Sequence, residues 1–138
     1  MQQYLLIIGA TIFGILGSAH LIFTFYGSKF EAKDRAVTQA MKETSPRISV
    51  DTTMWKAWIG FNGSHSLGAM LFAAIYVPLA GMQLSLIQQS IWFSILPIVV
   101  GLSYLLLAYR YWFKVPFWGI FVANMCFIIA ALINFIDL

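Results

Sequence analysis

Gly60-Phe61-Asn62-Gly63-Ser64-His65-Ser66-Leu67-Gly68 lies inside an apolar run and has the wrong composition for a lipid-facing one. Nine residues hold three glycines, two serines, an asparagine and a histidine. Small residues let another backbone come close, and polar ones need partners where water is absent. One of the chain's two histidines is His65; the other, His20, sits in a similar context, Gly17-Ser18-Ala19-His20.

Working outward, the composition names the solvent. Of 138 residues, 61% are hydrophobic and 9% charged, against about 25% charged in a soluble domain. That is too little polar surface to solvate a globule, so the lipid bilayer is the expected environment. The net charge of +3 is a topology signal, not a nucleic-acid footprint. The single cysteine, Cys126, excludes an intrachain disulfide and a cysteine-based zinc site. The first residues, Met1-Gln2-Gln3-Tyr4, carry no basic segment, so a cleaved signal peptide is not expected.

Four apolar segments run over about 4–26, 54–77, 84–113 and 115–136. A span needs about 20 residues at 1.5 Å each, and all four qualify. Pro78 is expected to close the second, and Pro97 to kink the third near Phe93–Ser94. The fold class is therefore all-α: an integral membrane four-helix bundle, up-down-up-down, in a single domain.

Charge orients it. Lys29, Lys33, Arg35, Lys42, Arg47 and Lys56 lie in or beside the 27–53 connector, and Arg110 and Lys114 between the last two spans. The connection from Pro78 to Ser85 carries no charge, and the C-terminal end only Asp137. By the positive-inside rule the two basic connections are cytoplasmic and both termini lie outside. Trp55, Trp58, Tyr111 and Trp112 form the aromatic belt at that boundary. Within the connector, Phe30, Val37 and Met41 make a modest helical stripe beside Lys33, Asp34, Lys42 and Glu43. It reads as a short interfacial helix, or as a docking surface or lid over the bundle. Asp51-Thr52-Thr53 supplies N-cap residue types for the second span.

Small residues recur every four positions at Ala10, Gly14 and Ser18 and at Gly60, Ser64 and Gly68. These faces predict close helix contact, within the chain or with another subunit. His20 lies about six residues before the cytoplasmic end of its span and His65 about ten after the start of its own, which gives both a similar depth of roughly 9–15 Å. Neutral imidazole ligates haem iron, zinc, copper or a chlorophyll-type magnesium, so His20 and His65 are candidate axial ligands of a haem or other metal-centred cofactor. Depth does not fix direction: measured from the small-residue faces, the two rings point to opposite sides of an antiparallel contact. A proton or quinone role, and a structural polar cluster with Asn62 and Ser66, stand beside the ligand reading. Asn124 and Asn134 fit interhelical hydrogen bonds, and Gln88, Gln89 and Ser90 an interfacial position.

Gly14-x-x-Gly17-x-x-His20-Leu21, with Trp58-x-Gly60-Phe61-Asn62-x-Ser64-His65-x-x-Gly68, resembles a family of small uncharacterised bacterial four-span membrane proteins. In general shape the chain also looks like the broader DoxX-like proteins. The resemblance implies a bacterial inner membrane and a lean toward redox assemblies. No site residue follows from it.

Three functional classes remain open. The first is an accessory subunit of a larger membrane complex, with other membrane subunits or further copies as partners. The second is a cofactor module built on the two histidines. The third is a small-molecule enzyme or carrier, although no H-E-x-x-H, P-loop, nucleophile elbow or Cys-x-x-Cys occurs. The charge reading is directly testable. A cysteine replacing Gln39 should be labelled only from the cytoplasmic side, and one replacing Gln83 only from outside; the reverse pattern would show the assignment to be wrong.

Overall fold

The structure is a computed structural model that describes residues 1–136; Asp137, read above as the C-terminal charge, lies outside the described residues with Leu138. Six helices follow one another: α1 (Gln2–Phe25), α2 (Arg35–Glu43), α3 (Met54–Met82), α4 (Leu84–Gln89), α5 (Ile91–Tyr111) and α6 (Lys114–Ile136). No strand occurs among the described residues. Four of the helices, α1, α3, α5 and α6, are long and apolar enough to cross a membrane.

Two boundaries differ from expectation. The second apolar helix does not stop at Pro78 but carries it inside α3 and ends at Met82. A proline removes one donor, whereas leaving the helix in apolar surroundings strands several. The third run is two helices, not one, with the break at Ser90. Ser90 Oγ accepts from Phe93 N at 3.4 Å, so this residue caps α5. Pro97 sits within α5 without ending it. The carbonyl it leaves without an intrahelical donor, that of Phe93, accepts the Tyr76 hydroxyl at 3.2 Å.

The chain forms two compact units, residues 1–16 with the chain from Ala69 onward, and residues 17–68. In the first unit, one aromatic from each long helix meets at a common point. Phe13 of α1 lies 5.2 Å from Phe72 of α3, 5.3 Å from Tyr104 of α5 and 6.0 Å from Phe127 of α6, ring centre to ring centre. Phe13 and Phe127 are fully buried. Such pairs contribute about 0.5–1.5 kcal/mol each beyond the area they bury. Small residues bring the helices to this distance. Ala10 is fully buried, a Cβ on Gly14 would stand 3.0 Å from the Ala73 methyl, and the Phe127 ring occupies the space of a Gly9 side chain.

At the end where α1 begins, polar side chains close the helix termini. Gln3 Nε2 donates to the carbonyl of Gly81 at 3.0 Å, in the last turn of α3. Ser94 Oγ donates to the carbonyl of Ile87 at 2.8 Å. Asn134 Nδ2 reaches the carbonyl of Gln88 at 3.3 Å and Ser94 Oγ at 3.1 Å. These bonds fix the short α4 against α5 and α6 and satisfy carbonyls that a helix end leaves open. Asn134 thus makes the interhelical bond its position suggested. Asn124 does not: its buried Oδ1 has no hydrogen-bond partner among the described residues.

In the second unit, α1 ends at Phe25 and the chain turns at Gly27, whose φ of 134° favours glycine. Asp34 caps α2 by accepting from Ala36 N at 2.9 Å. Met54 N donates to the carbonyl of Thr44 at 2.8 Å, which ties the far end of the connector to the start of α3. Thr53 Oγ1 accepts from Lys56 N at 3.3 Å and caps α3, as its residue type suggested. Lys29 Nζ lies 3.9 Å from the centre of the Phe23 ring and Lys42 Nζ 5.3 Å from that of Trp55. Both basic side chains therefore lie over aromatic faces, a cation–π arrangement.

Asn124 lies where a side chain on Gly101 would have to be. Gly101→Ala should therefore lower thermal stability in detergent by about 1–3 kcal/mol through overpacking. Gly81→Ala, which meets nothing within 4 Å, should be tolerated. Adding Asn124→Ala to Gly101→Ala should recover most of the loss; unfolding midpoints of the three variants decide it.

Candidate functional site

The site is built on two helices of the second unit. Spacing along α3 selects its members. Trp58, Asn62 and Ser66 are four apart, and His65 is three beyond Asn62, so one face carries all four. Ser66 is fully buried and its hydroxyl donates to the carbonyl of Asn62 at 2.9 Å. From α1, His20 faces this row. Its backbone carbonyl accepts the Thr24 hydroxyl at 2.8 Å, and Thr24 is itself buried.

The polar contacts form a chain with a defined direction. Asn62 Nδ2 lies 2.8 Å from the carbonyl of Trp58, which can only accept. Asn62 Oδ1 is therefore the end turned to His20, 3.0 Å from Nε2. A carbonyl oxygen also only accepts, so Nε2 carries the proton. In neutral His20 this leaves Nδ1 as the lone-pair nitrogen. The hydrogen bond to a carbonyl-type oxygen thereby sets the tautomer and orientation of the His20 ring.

The His65 ring meets the His20 ring with centres 5.5 Å apart and planes at 70°. The two imidazoles read from sequence as sharing a depth thus also share a direction. Phe30 packs on the other side of His20, 4.5 Å between ring centres. It is held there by Trp58 Nε1, which donates to the carbonyl of Phe30 at 3.2 Å. The connector residue with the most apolar bulk in its stripe thereby packs on His20 and is not laid only on a surface.

The small-residue face of α3 makes no close contact within the chain. Gly60, Ser64 and Gly68 all lie on the exposed side of α3, and a Cβ on Gly60 would meet nothing within 4 Å. The inward glycine is Gly63, whose Cβ would stand 3.3 Å from the Phe25 ring. Ser64 Oγ turns back to the carbonyl of Phe61 at 3.0 Å. A small-xxx-small stripe and a polar stripe ran along one helix, and the polar one faces inward because its groups need partners. On α1, Ala10 and Gly14 do pack closely, and Ser18 is half-buried.

Chemically, the site offers two imidazoles and no carboxylate or thiolate. Among the described residues no three His, Cys, Asp or Glu side chains converge. No protein-family model, curated protein or solved structure matches the chain, so the site stands on its own geometry. Thr24, Phe30 and Trp58 are the members that sequence reasoning missed. The four-residue step from Trp58 to Asn62 was a usable signal; the placement of Phe30 was not, since it depends on the turn at Gly27.

The tautomer is measurable. With ¹⁵N-labelled histidine, His20 should show a protonated Nε2 and an unprotonated Nδ1 at neutral pH, assigned by the loss of its signals in His20→Asn. Asn62→Leu should abolish that preference while leaving helix content unchanged. A Nδ1-protonated His20 in the unsubstituted protein would contradict the hydrogen-bond direction.

Proposed function

We propose that this chain is a four-span protein of a bacterial inner membrane whose His20–His65 pair holds a transition-metal centre. The observation that carries the reading is the meeting of the two rings, 5.5 Å apart, from different helices. An ionisable residue within an apolar span marks function by default, and here two are brought together with one tautomer set. A metal–imidazole nitrogen bond is about 2.0–2.1 Å, which puts the ion about 3 Å from each ring centre. Rings 5.5 Å apart suit one ion seen at an open angle. A haem held between the same rings as axial ligands sets their centres about 6 Å apart with a macrocycle between them. Rings in edge-to-face contact favour the single ion over the haem or a chlorophyll-type pigment. Imidazole without carboxylate or thiolate suits zinc, copper, nickel or iron; water or a partner subunit completes the coordination.

The topology belongs to the same reading. Gln3 with Gly81 and Gly14 with Ala73 set α1 against α3 in opposite directions. Ser94 with Asn134 and Gly101 with Asn124 do the same for α5 and α6. Both support an up-down-up-down order, and the positive-inside rule applied to the basic connections favours both termini outside.

A second reading, an accessory subunit of a larger complex, is favoured by the exposed Gly60, Ser64 and Gly68 stripe. Small residues on an outward helix face leave room for a further helix. It predicts co-purification with other membrane subunits in mild detergent.

The test is optical and elemental. Detergent-purified, chelator-stripped protein titrated with Co²⁺ should take up about one ion per chain, with visible d–d absorption. His20→Ala and His65→Ala should each lose it, and Asn62→Leu should weaken it about 10–100-fold, as loss of an orienting partner does. Uptake equal in the unsubstituted protein and the double histidine variant would end the metal reading. A Soret band lost in both histidine variants would restore the haem.

A further inference from the structure

The turn from α5 into α6 holds an open cavity of about 400 Å³, within the size range of small-molecule sites. Five of the side chains around it are aromatic, Tyr109, Trp112, Phe113, Phe117 and Trp118, and one is Lys114. Core packing does not explain this lining, because Tyr109, Phe113 and Trp118 are exposed. The rings are nevertheless arranged against one another. Tyr109 and Phe117 lie 6.4 Å apart across the turn, and Trp118 lies 5.4 Å from Phe117, centre to centre. The aromatic wall continues one turn along α6, where Phe121 stacks on Phe117 at 6.5 Å and meets Trp118 at 5.6 Å.

Charge decides what this cavity favours. Lys114 is the one charged side chain in its lining, and Arg110 adds a second positive charge in the last turn of α5. Neither side chain has a hydrogen bond or an ion pair among the described residues. In this compact unit, residues 1–16 with the chain from Ala69 onward, the one acidic residue is Asp137, which in sequence follows the opposite end of α6. The start of α6 has the same sign. Neither Trp112 nor Phe113 carries a side-chain oxygen to cap its first N–H groups, and a helix N-terminus is its positive end. Aromatic rings alone would also accept a cation, but here a cation meets a lysine of its own sign. Rings and cations together fit an anionic group joined to an apolar body.

We infer that this cavity binds an anionic glycerophospholipid, its phosphate at Lys114 with Arg110 adding to the attraction, and its acyl chains along Phe117, Trp118 and Phe121. The inference rests on the membrane reading and not on the histidine pair. Basic residues and tryptophan at the end of a span stand at headgroup level, and the aromatic wall leads from there along α6. A free phosphate would use the cations and leave the rings uncovered, so the lipid accounts for both.

The test uses the full chain in mild uncharged detergent with a phosphatidylglycerol carrying a photoreactive group in its acyl chain. Crosslinks should fall within residues 109–121. Unlabelled phosphatidylglycerol should compete about tenfold better than phosphatidylcholine with the same chains, and soluble glycerol phosphate at equal concentration should not compete. Lys114→Gln, at an exposed position, should cut labelling about fivefold, as loss of one basic residue facing anionic lipid does, and Lys114→Arg should keep it. Lys33→Gln with Arg47→Gln, which removes more charge from the connector, should leave labelling in place, as should His20→Ala. Flotation with phosphatidylcholine vesicles tests the membrane reading separately: a chain that does not float loses both readings, and a chain that floats without this labelling loses the lipid site alone. Labelling spread evenly over the apolar helices, equal competition by phosphatidylcholine, displacement by glycerol phosphate, or an equal loss in the connector variant would overturn the inference.

Discussion

The constraint on which the rest depends is that a backbone carbonyl without a donor is intolerable in apolar surroundings. Most polar side chains here answer to it. Tyr76 reaches the carbonyl that Pro97 leaves open, Gln3 the last turn of α3, and Ser94 and Asn134 the end of α4. Thr24, Ser64, Ser66 and Ser103 turn back on their own helices. A chain with 9% charged residues has few polar groups to spend, and these are committed before any function is considered.

Subtracting them isolates what is left. A side chain bonded to another side chain, from a different helix, does nothing for the backbone. His20 with Asn62 and Gln2 with Gln88 are such pairs. The first brings an imidazole to another imidazole, and the second brings two amides into one cavity. Asn124 is a further exception among the described residues. Its oxygen lies against Gly101 without a hydrogen bond, so it serves α5–α6 register by shape, filling the space a glycine leaves.

How far the sequence carried the reading follows from the same physics. Apolar runs are long-range signals, so four membrane-length helices were legible. Helix ends were not, because Pro78 looked like an end, while the break at Ser90 needed only a capping hydroxyl and a chain able to leave the axis. The histidine pair was half legible: counting residues gave a shared depth, but direction depends on how each helix is rotated. Glycine spacing on α3 did not say whether its contact is within the chain or with another subunit, and within the chain the face turned inward is the polar one. Asn62, His65 and Ser66 carried the stronger demand, since a small residue tolerates an exposed position and a buried amide or imidazole requires a partner. Phe30 over His20 was out of reach, being set by a turn and by one indole N–H.

Asn62 shows why this residue type, and not a carboxylate, suits its position. An aspartate would also accept from His20 Nε2 and would orient the ring as well. Ionised, however, it has no donor for the carbonyl of Trp58, and it would set two acceptors against each other at the 2.8 Å separation seen there. It would also place a full charge among apolar helices, which is costly unless paired. The amide satisfies the carbonyl with one end and sets the tautomer with the other, and it remains neutral. Any positive charge that enters between His20 and His65 therefore arrives at a site where, among the described residues, no carboxylate converges with the two imidazoles to neutralise it. That favours ligands bound through lone pairs over ligands bound through charge, which is the property of imidazole toward a borderline transition metal.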